Sequence, residues 1–173
     1  MIVEFSDFKG EAMIPDLKPE IGTEDPINTA TQNELQEFID KYEWEYLLQF
    51  LGSEKAVSEL YDYFNFPEEE KTDEEKNNLL KSLKTIIPNF IAFYWFRNET
   101  VKNTGIGAVI PQGQNSKRTN NFDRSVKIFN EMVVKSRELF VSYFNCRFPI
   151  KRYNKVTEEF EIVDIFNKIT WWI

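Results

Sequence analysis

Between Leu79 and Trp95 the apolar residues Leu79, Leu80, Leu83, Ile86, Ile87, Phe90, Ile91, Tyr94 and Trp95 fall every three or four positions. That spacing is helical, and the stripe is too broad for a helix with one side in water. A chain carrying such a segment has to surround it with other helices, so the run predicts a central, mostly buried helix. Thr72 and Glu75 stand at capping-box spacing and predict its start. Pro88 lies inside the pattern, where it removes one hydrogen bond and predicts a kink or a split.

Three further helices can be read on either side. Leu35, Phe38, Ile39, Tyr42, Tyr46 and Phe50 form one stripe, with Thr31 and Glu34 as a capping box and Gly52 suited to a left-handed C-cap. Ser53 can cap a short helix carrying Val57, Leu60, Tyr61 and Phe64, which Pro67 and Glu68-Glu69-Glu70 end. A last long helix runs from about Phe122 to Asn145, with Val126, Phe129, Val133, Phe140 and Phe144 on its apolar face. The expected fold class is mainly α: a bundle of about four to five helices with an extended N-terminal arm, a long polar loop and a C-terminal tail. We read one domain over 1–173, with arm 1–28, helical core 29–145 carrying loop 98–120, and tail 146–173.

The arm is marked by Pro15, Pro19, Pro26, Gly10 and Gly22, which oppose a helix, yet Ile2, Phe5 and Phe8 are apolar enough to dock on something. The loop holds Gly105, Gly107, Pro111 and Gly113 among polar residues, with a short hairpin expected through Ala108, Val109 and Ile110. The tail mixes short strand-like and helix-like runs and ends in Trp171-Trp172-Ile173.

At 173 residues with 42% hydrophobic and 16% aromatic side chains, the chain can bury a core without disulfides or metal. The single cysteine, Cys146, excludes an internal disulfide framework. No apolar run approaches the roughly 20 residues that span a bilayer, so no membrane partner is expected. Met1-Ile2-Val3-Glu4 does not open a signal peptide, and synthesis in the cytoplasm is expected. Net charge is −8, unevenly placed: residues 1–80 hold 21 acidic and 6 basic side chains (net −15), residues 81–173 hold 8 and 15 (net +7). Either the halves neutralise each other within one chain, or they favour head-to-tail contact between copies.

Histidine is absent, which removes Ser–His and Cys–His nucleophiles and the commonest metal ligand. One cysteine cannot supply a zinc site of several thiolates. Gly105-Ile106-Gly107 is a lone G-x-G without the rest of a phosphate-binding fingerprint. Glu43 and Glu45 diverge on a helix, and Glu34 and Glu37 read as a solvated first turn. The expectation is therefore a protein that is not an enzyme, with no catalytic residue, cofactor or metal. A hydrolase working through two facing carboxylates would need a concave pocket. Candidate interface residues are Phe5 and Phe8 in the arm and Trp171 and Trp172 in the tail, each pair either folding back on the core or docking on a partner. Lys117, Arg118 and Arg124 are candidate DNA-facing residues through phosphate contacts, against the plainer reading of a solvated helix face.

The helix order from Thr31 to Phe144 carries a resemblance. It rests on Leu47-Leu48-Gln49-Phe50-Leu51-Gly52 closing the first helix, a short second helix, Ile91-Ala92-Phe93-Tyr94-Trp95-Phe96-Arg97-Asn98-Glu99 closing the third, and a long final helix. This order is similar to the head–tail connector (adaptor) proteins of tailed bacteriophages, and Thr104-Gly105-Ile106-Gly107 looks like proteins of phages and prophages of Bacteroides-type gut bacteria. The longer loop 98–120 and the Trp-ended tail depart from the simplest adaptors. The resemblance implies a virion protein made in the bacterial cytoplasm: a head-to-tail homo-oligomer, a dodecamer-type ring between portal and tail proteins, with DNA in its lumen contacted without sequence reading and no cofactor. The alternative is a monomeric or dimeric protein-binding module.

Overall fold

A computed structural model of the chain describes residues 1–15, 17, 26–99, 102–104, 107–109, 121–145, 150–154 and 159–163. Four α-helices make up most of this: α1 (Pro26–Leu51), α2 (Glu54–Phe64), α3 (Glu74–Glu99) and α4 (Asn121–Phe144). Two antiparallel hairpins accompany them, β1 (Lys102–Thr104) with β2 (Gly107–Val109), and β3 (Ile150–Asn154) with β4 (Glu159–Val163). The protein is mainly helical, as the periodicity predicts.

The apolar run builds α3 into the central helix. Every residue from Ile86 to Phe93 is buried, so α3 is covered on all sides there. It packs against α1 and α4 and beneath residues 1–14. Pro88 does not split it; the helix is continuous from Glu74 to Glu99, and packing all round outweighs one missing hydrogen bond. The seam with α1 is aromatic. Tyr42 stacks on Tyr94 with centroids 4.0 Å apart, Phe38 meets Trp95 edge-on at 5.3 Å, and Tyr46 meets Phe90 at 5.5 Å. Such pairs add roughly 0.5–1.5 kcal/mol each beyond their buried area.

Helix ends differ from expectation where better caps lie nearby. α1 begins at Pro26, not near Thr31, because proline at the first helical position has its φ preset and no N–H to satisfy. The arm therefore ends before residue 26, and Glu34 and Glu37 lie inside the helix rather than in its first turn. α3 is capped by Asp73, whose Oδ1 accepts from the Lys76 N–H at 3.0 Å; this anion displaces Thr72 from the role. Gly52 does close α1, at φ +77°, donating its N–H to the Leu48 carbonyl at 2.9 Å. Ser53 caps α2 through the Ala56 N–H at 3.3 Å. β1 and β2 realise the short hairpin, one residue ahead of Ile110, and α3 continues through 98 and 99. The rest of loop 98–120 lies outside the described residues.

Candidate functional site

The arm is a strap lying on its own body. Ile2, Val3, Phe8, Ala12 and Ile14 are buried in the common core, and Phe5 and Leu17 are partly buried against it. Among the described residues the strap makes no backbone ladder to the helices. Its backbone–backbone hydrogen bonds are short internal ones, such as Asp7 N–H to the Glu4 carbonyl (2.9 Å) and Met13 N–H to the Gly10 carbonyl (3.3 Å), which make two 3-10 turns. Gly10, at φ +60°, provides the left-handed residue that starts the second turn.

Side chains of the body hold the strap at both ends. At the first, Glu43 of α1 is buried to 2% exposure. Its Oε1 accepts from the Ile2 N–H at 2.9 Å and its Oε2 from the Val3 N–H at 2.8 Å; the Tyr61 hydroxyl of α2 donates to Oε1 at 2.6 Å. A buried carboxylate is tolerated only with such partners. Burial, then the bond to Glu43 and the negative charges of Glu43 and Asp40, push the Tyr61 hydroxyl far above the ordinary tyrosine range. Trp44 stacks parallel on Tyr61 and closes the outer side.

At the other end Arg124 of α4 clamps the strap backbone. Its Nη2 donates to the Glu11 carbonyl at 2.7 Å and the Met13 carbonyl at 3.1 Å, while the guanidinium lies 4.4 Å above the Phe96 ring. Lys127, one turn on, pairs with the Glu11 carboxylate at 2.8 Å, and Lys84 of α3 reaches Glu4 at 3.4 Å. Hydrogen bonding and the charge of Lys127 hold the Glu11 carboxyl below its usual value, and the same contact raises Lys127.

The residues singled out from sequence separate accordingly. Phe8, at 4% exposure, is enclosed by the chain's own core, and Phe5 leans on it, so the arm folds back instead of presenting them. Arg124, a candidate DNA-facing residue, donates to the Glu11 and Met13 carbonyls of the strap, two acceptors that its fork can span. Lys117, Arg118, Trp171 and Trp172 lie outside the described residues. Spacing alone marks Glu43 only as one member of a divergent acid pair with Glu45. Its position on the buried stripe, four residues after Ile39 and four before Leu47, was the signal for an anchor.

Two further surfaces stand out. α1, α2 and the 3-10 turn Glu68–Glu70 are strongly acidic: residues 26–76 hold 14 carboxylates against 4 lysines, net −10. Three of those lysines pair inside the segment, Lys55 with Glu59, Lys71 with Glu68 and Lys76 with Asp73. On α4, Val134, Val141 and Phe144 are between 37% and 40% exposed. Phe144, expected on the inner face, is 40% exposed and meets the rings of Phe140 (4.4 Å), Tyr143 (4.9 Å) and Phe50 (6.0 Å). A groove of about 230 Å³ between α3 and α4 presents one acid, Glu75, beside Tyr143. Among the described residues no three Cys, Asp or Glu side chains are placed to hold a metal ion, and no helix is long and apolar enough to cross a membrane. No family model, curated protein or solved structure matches the chain.

Proposed function

We propose that the chain is a structural assembly subunit without catalytic chemistry, packing head to tail on copies of itself as a head–tail connector in the virion of a tailed phage. The observation that carries the assembly reading is the acidic surface of residues 26–76, where 14 carboxylates, all but Glu43 outside the core, outnumber 4 lysines and leave a net charge of −10. The sequence offers a complement in Lys117, Arg118, Arg147, Lys151, Arg152 and Lys155. Acidic face against basic face is a heterologous contact, and such contacts close into rings when the rotation allows. The connector assignment rests on the helix order and on the Phe96-Arg97-Asn98-Glu99 ending of α3. Its partners would be portal and tail proteins, with DNA passing through the ring. A binding module for a single protein partner is the second reading; Val134, Val141 and Phe144 on α4 favour it.

The test is the mass of the purified protein across concentration at low and at high salt, with negative-stain images of large species. Closed rings that loosen as salt rises support the reading, because the screening length of exposed charges falls from about 30 Å at 0.01 M to about 3 Å at 1 M salt. Assembly indifferent to salt removes the charge mechanism. A monomer at every concentration, alone and with portal protein, removes the connector.

A further inference from the structure

We infer that the seat on the body that holds residues 1–14 is an exchange site: in the assembled protein it takes the strap of a neighbouring copy. The inference rests on the assembly reading above. Four observations lead to it. The strap's two turns carry their own hydrogen bonds, so no backbone ladder to the body has to break for the strap to leave its seat. Among the described residues, the polar ties seen between strap and body come from body side chains, Gln36 and Glu43 at one end and Lys84, Arg124 and Lys127 along the rest. Charge fits as well, since the strap carries Glu4, Asp7 and Glu11 against Lys9 and the seat answers with three cations. Finally, the tether is short and interrupted by helix breakers. Eight residues separate Leu17 from Pro26, among them Pro19 and Gly22, and they reach at most about 30 Å.

These features describe a segment that detaches as a unit and finds an identical seat on any other copy, the geometry of a domain swap. In a lone molecule the tether keeps the strap at a millimolar-scale effective concentration, so it docks on its own body. A neighbour competes only when assembly brings its seat within reach of the tether. Exchange would then add the strap's buried surface to each subunit contact without creating a new interface.

Isotope mixing reads this directly. Equal amounts of unlabelled and 15N-labelled protein are mixed, assembled and separated by size. Zero-length carboxyl–amine cross-linking then captures the Glu11–Lys127 and Glu4–Lys84 pairs, which lie 2.8 Å and 3.4 Å apart. The monomer fraction should give same-isotope linked peptides only. The assembled fraction should give mixed-isotope peptides, up to about half of the total if strap partners are drawn at random. Assembled protein in which both pairs remain same-isotope overturns the exchange and leaves the assembly reading standing. Absence of any species larger than a monomer overturns both.

Discussion

Replacing Glu43 with alanine removes one acceptor from three donors at once: the N–H groups of Ile2 and Val3 and the Tyr61 hydroxyl. Hydrogen bonds to a charged group are worth about 1.5–3 kcal/mol each, so a simple sum would reach roughly 5–9 kcal/mol. The strap limits that loss, because the freed N–H groups can swing into water. What is then forfeited is the burial of Ile2 and Val3, both at 0% exposure. At about 1.5–3 kcal/mol per side chain the expected destabilisation is ~3–5 kcal/mol. Glu43→Gln should cost less, ~1–2 kcal/mol, since its carbonyl can still accept from Val3 while its amide faces Tyr61. Tyr61→Phe removes one donor and should fall in the same range. The double change Glu43→Ala with Tyr61→Phe should cost less than the sum, as expected for residues sharing one contact. Urea unfolding gives the free energies, and amide hydrogen exchange at Val3 reports the strap itself. The reasoning fails if Glu43→Ala stays within about 1 kcal/mol of the parent and the Val3 amide keeps its protection.

The remaining predictions address other links. Gly10→Ala meets no neighbouring atom but forces φ +60° on a β-carbon, so it should weaken the strap by about 1–2 kcal/mol, read as faster cleavage within residues 1–14 under limited proteolysis. Asp73→Ala should cost about 1 kcal/mol by uncapping α3, seen in the denaturation midpoint. Asp73 is held below its ordinary value, chiefly by the Lys76 N–H, and Glu11 by Lys127; their contributions are present above the unfolded carboxylate pKa and lost as pH falls through the lower folded values. Thermal melts across that acid range should therefore show the Asp73→Ala deficit shrinking as pH falls. At the alkaline end, burial raises Tyr46 and Tyr61, so folding is favoured below the unfolded tyrosine pKa near 10 and loses that support as pH rises above it. Absorbance at ionised tyrosine should rise for these two only together with loss of helical circular dichroism.

The periodic signals carried most of the fold, because they depend on local spacing. The stripe Leu79–Trp95 places α3 at the centre, and Gly52 and Ser53 mark the α1–α2 corner through their own backbone chemistry. What sequence spacing does not carry is a choice between two adequate caps. Pro26 and Thr31, or Asp73 and Thr72, satisfy the same rules, and the outcome depends on which turn packs. The strap is harder still. Its apolar residues are irregularly spaced, so no period says where they go; only contacts across some 40 residues, Ile2 and Val3 to Glu43, decide it. Arg124 was legible as basic but not as a clamp, because its partners are backbone carbonyls that any sequence would possess.

The charge split between the two halves divides into two parts once the strap is placed. Glu4 and Glu11 belong to the acidic half, yet they are paired with Lys84 and Lys127 of the basic half inside one molecule. To that extent the halves do neutralise each other. These pairs are surface contacts worth little individually, and they orient a strap that apolar burial holds down. The acidity of residues 26–76 is a different matter. Three of its four lysines pair with neighbours a turn away, which leaves most of its carboxylates in solvent. Self-repulsion of that size disfavours the compact state unless a cationic surface comes to meet it. A partner's basic face would relieve the repulsion, and salt would do the same by screening. Stability of the isolated chain should therefore rise with salt while any head-to-tail association falls. Opposite salt slopes for melting and for assembly would place the acidic surface at the contact, whereas parallel slopes would place it elsewhere.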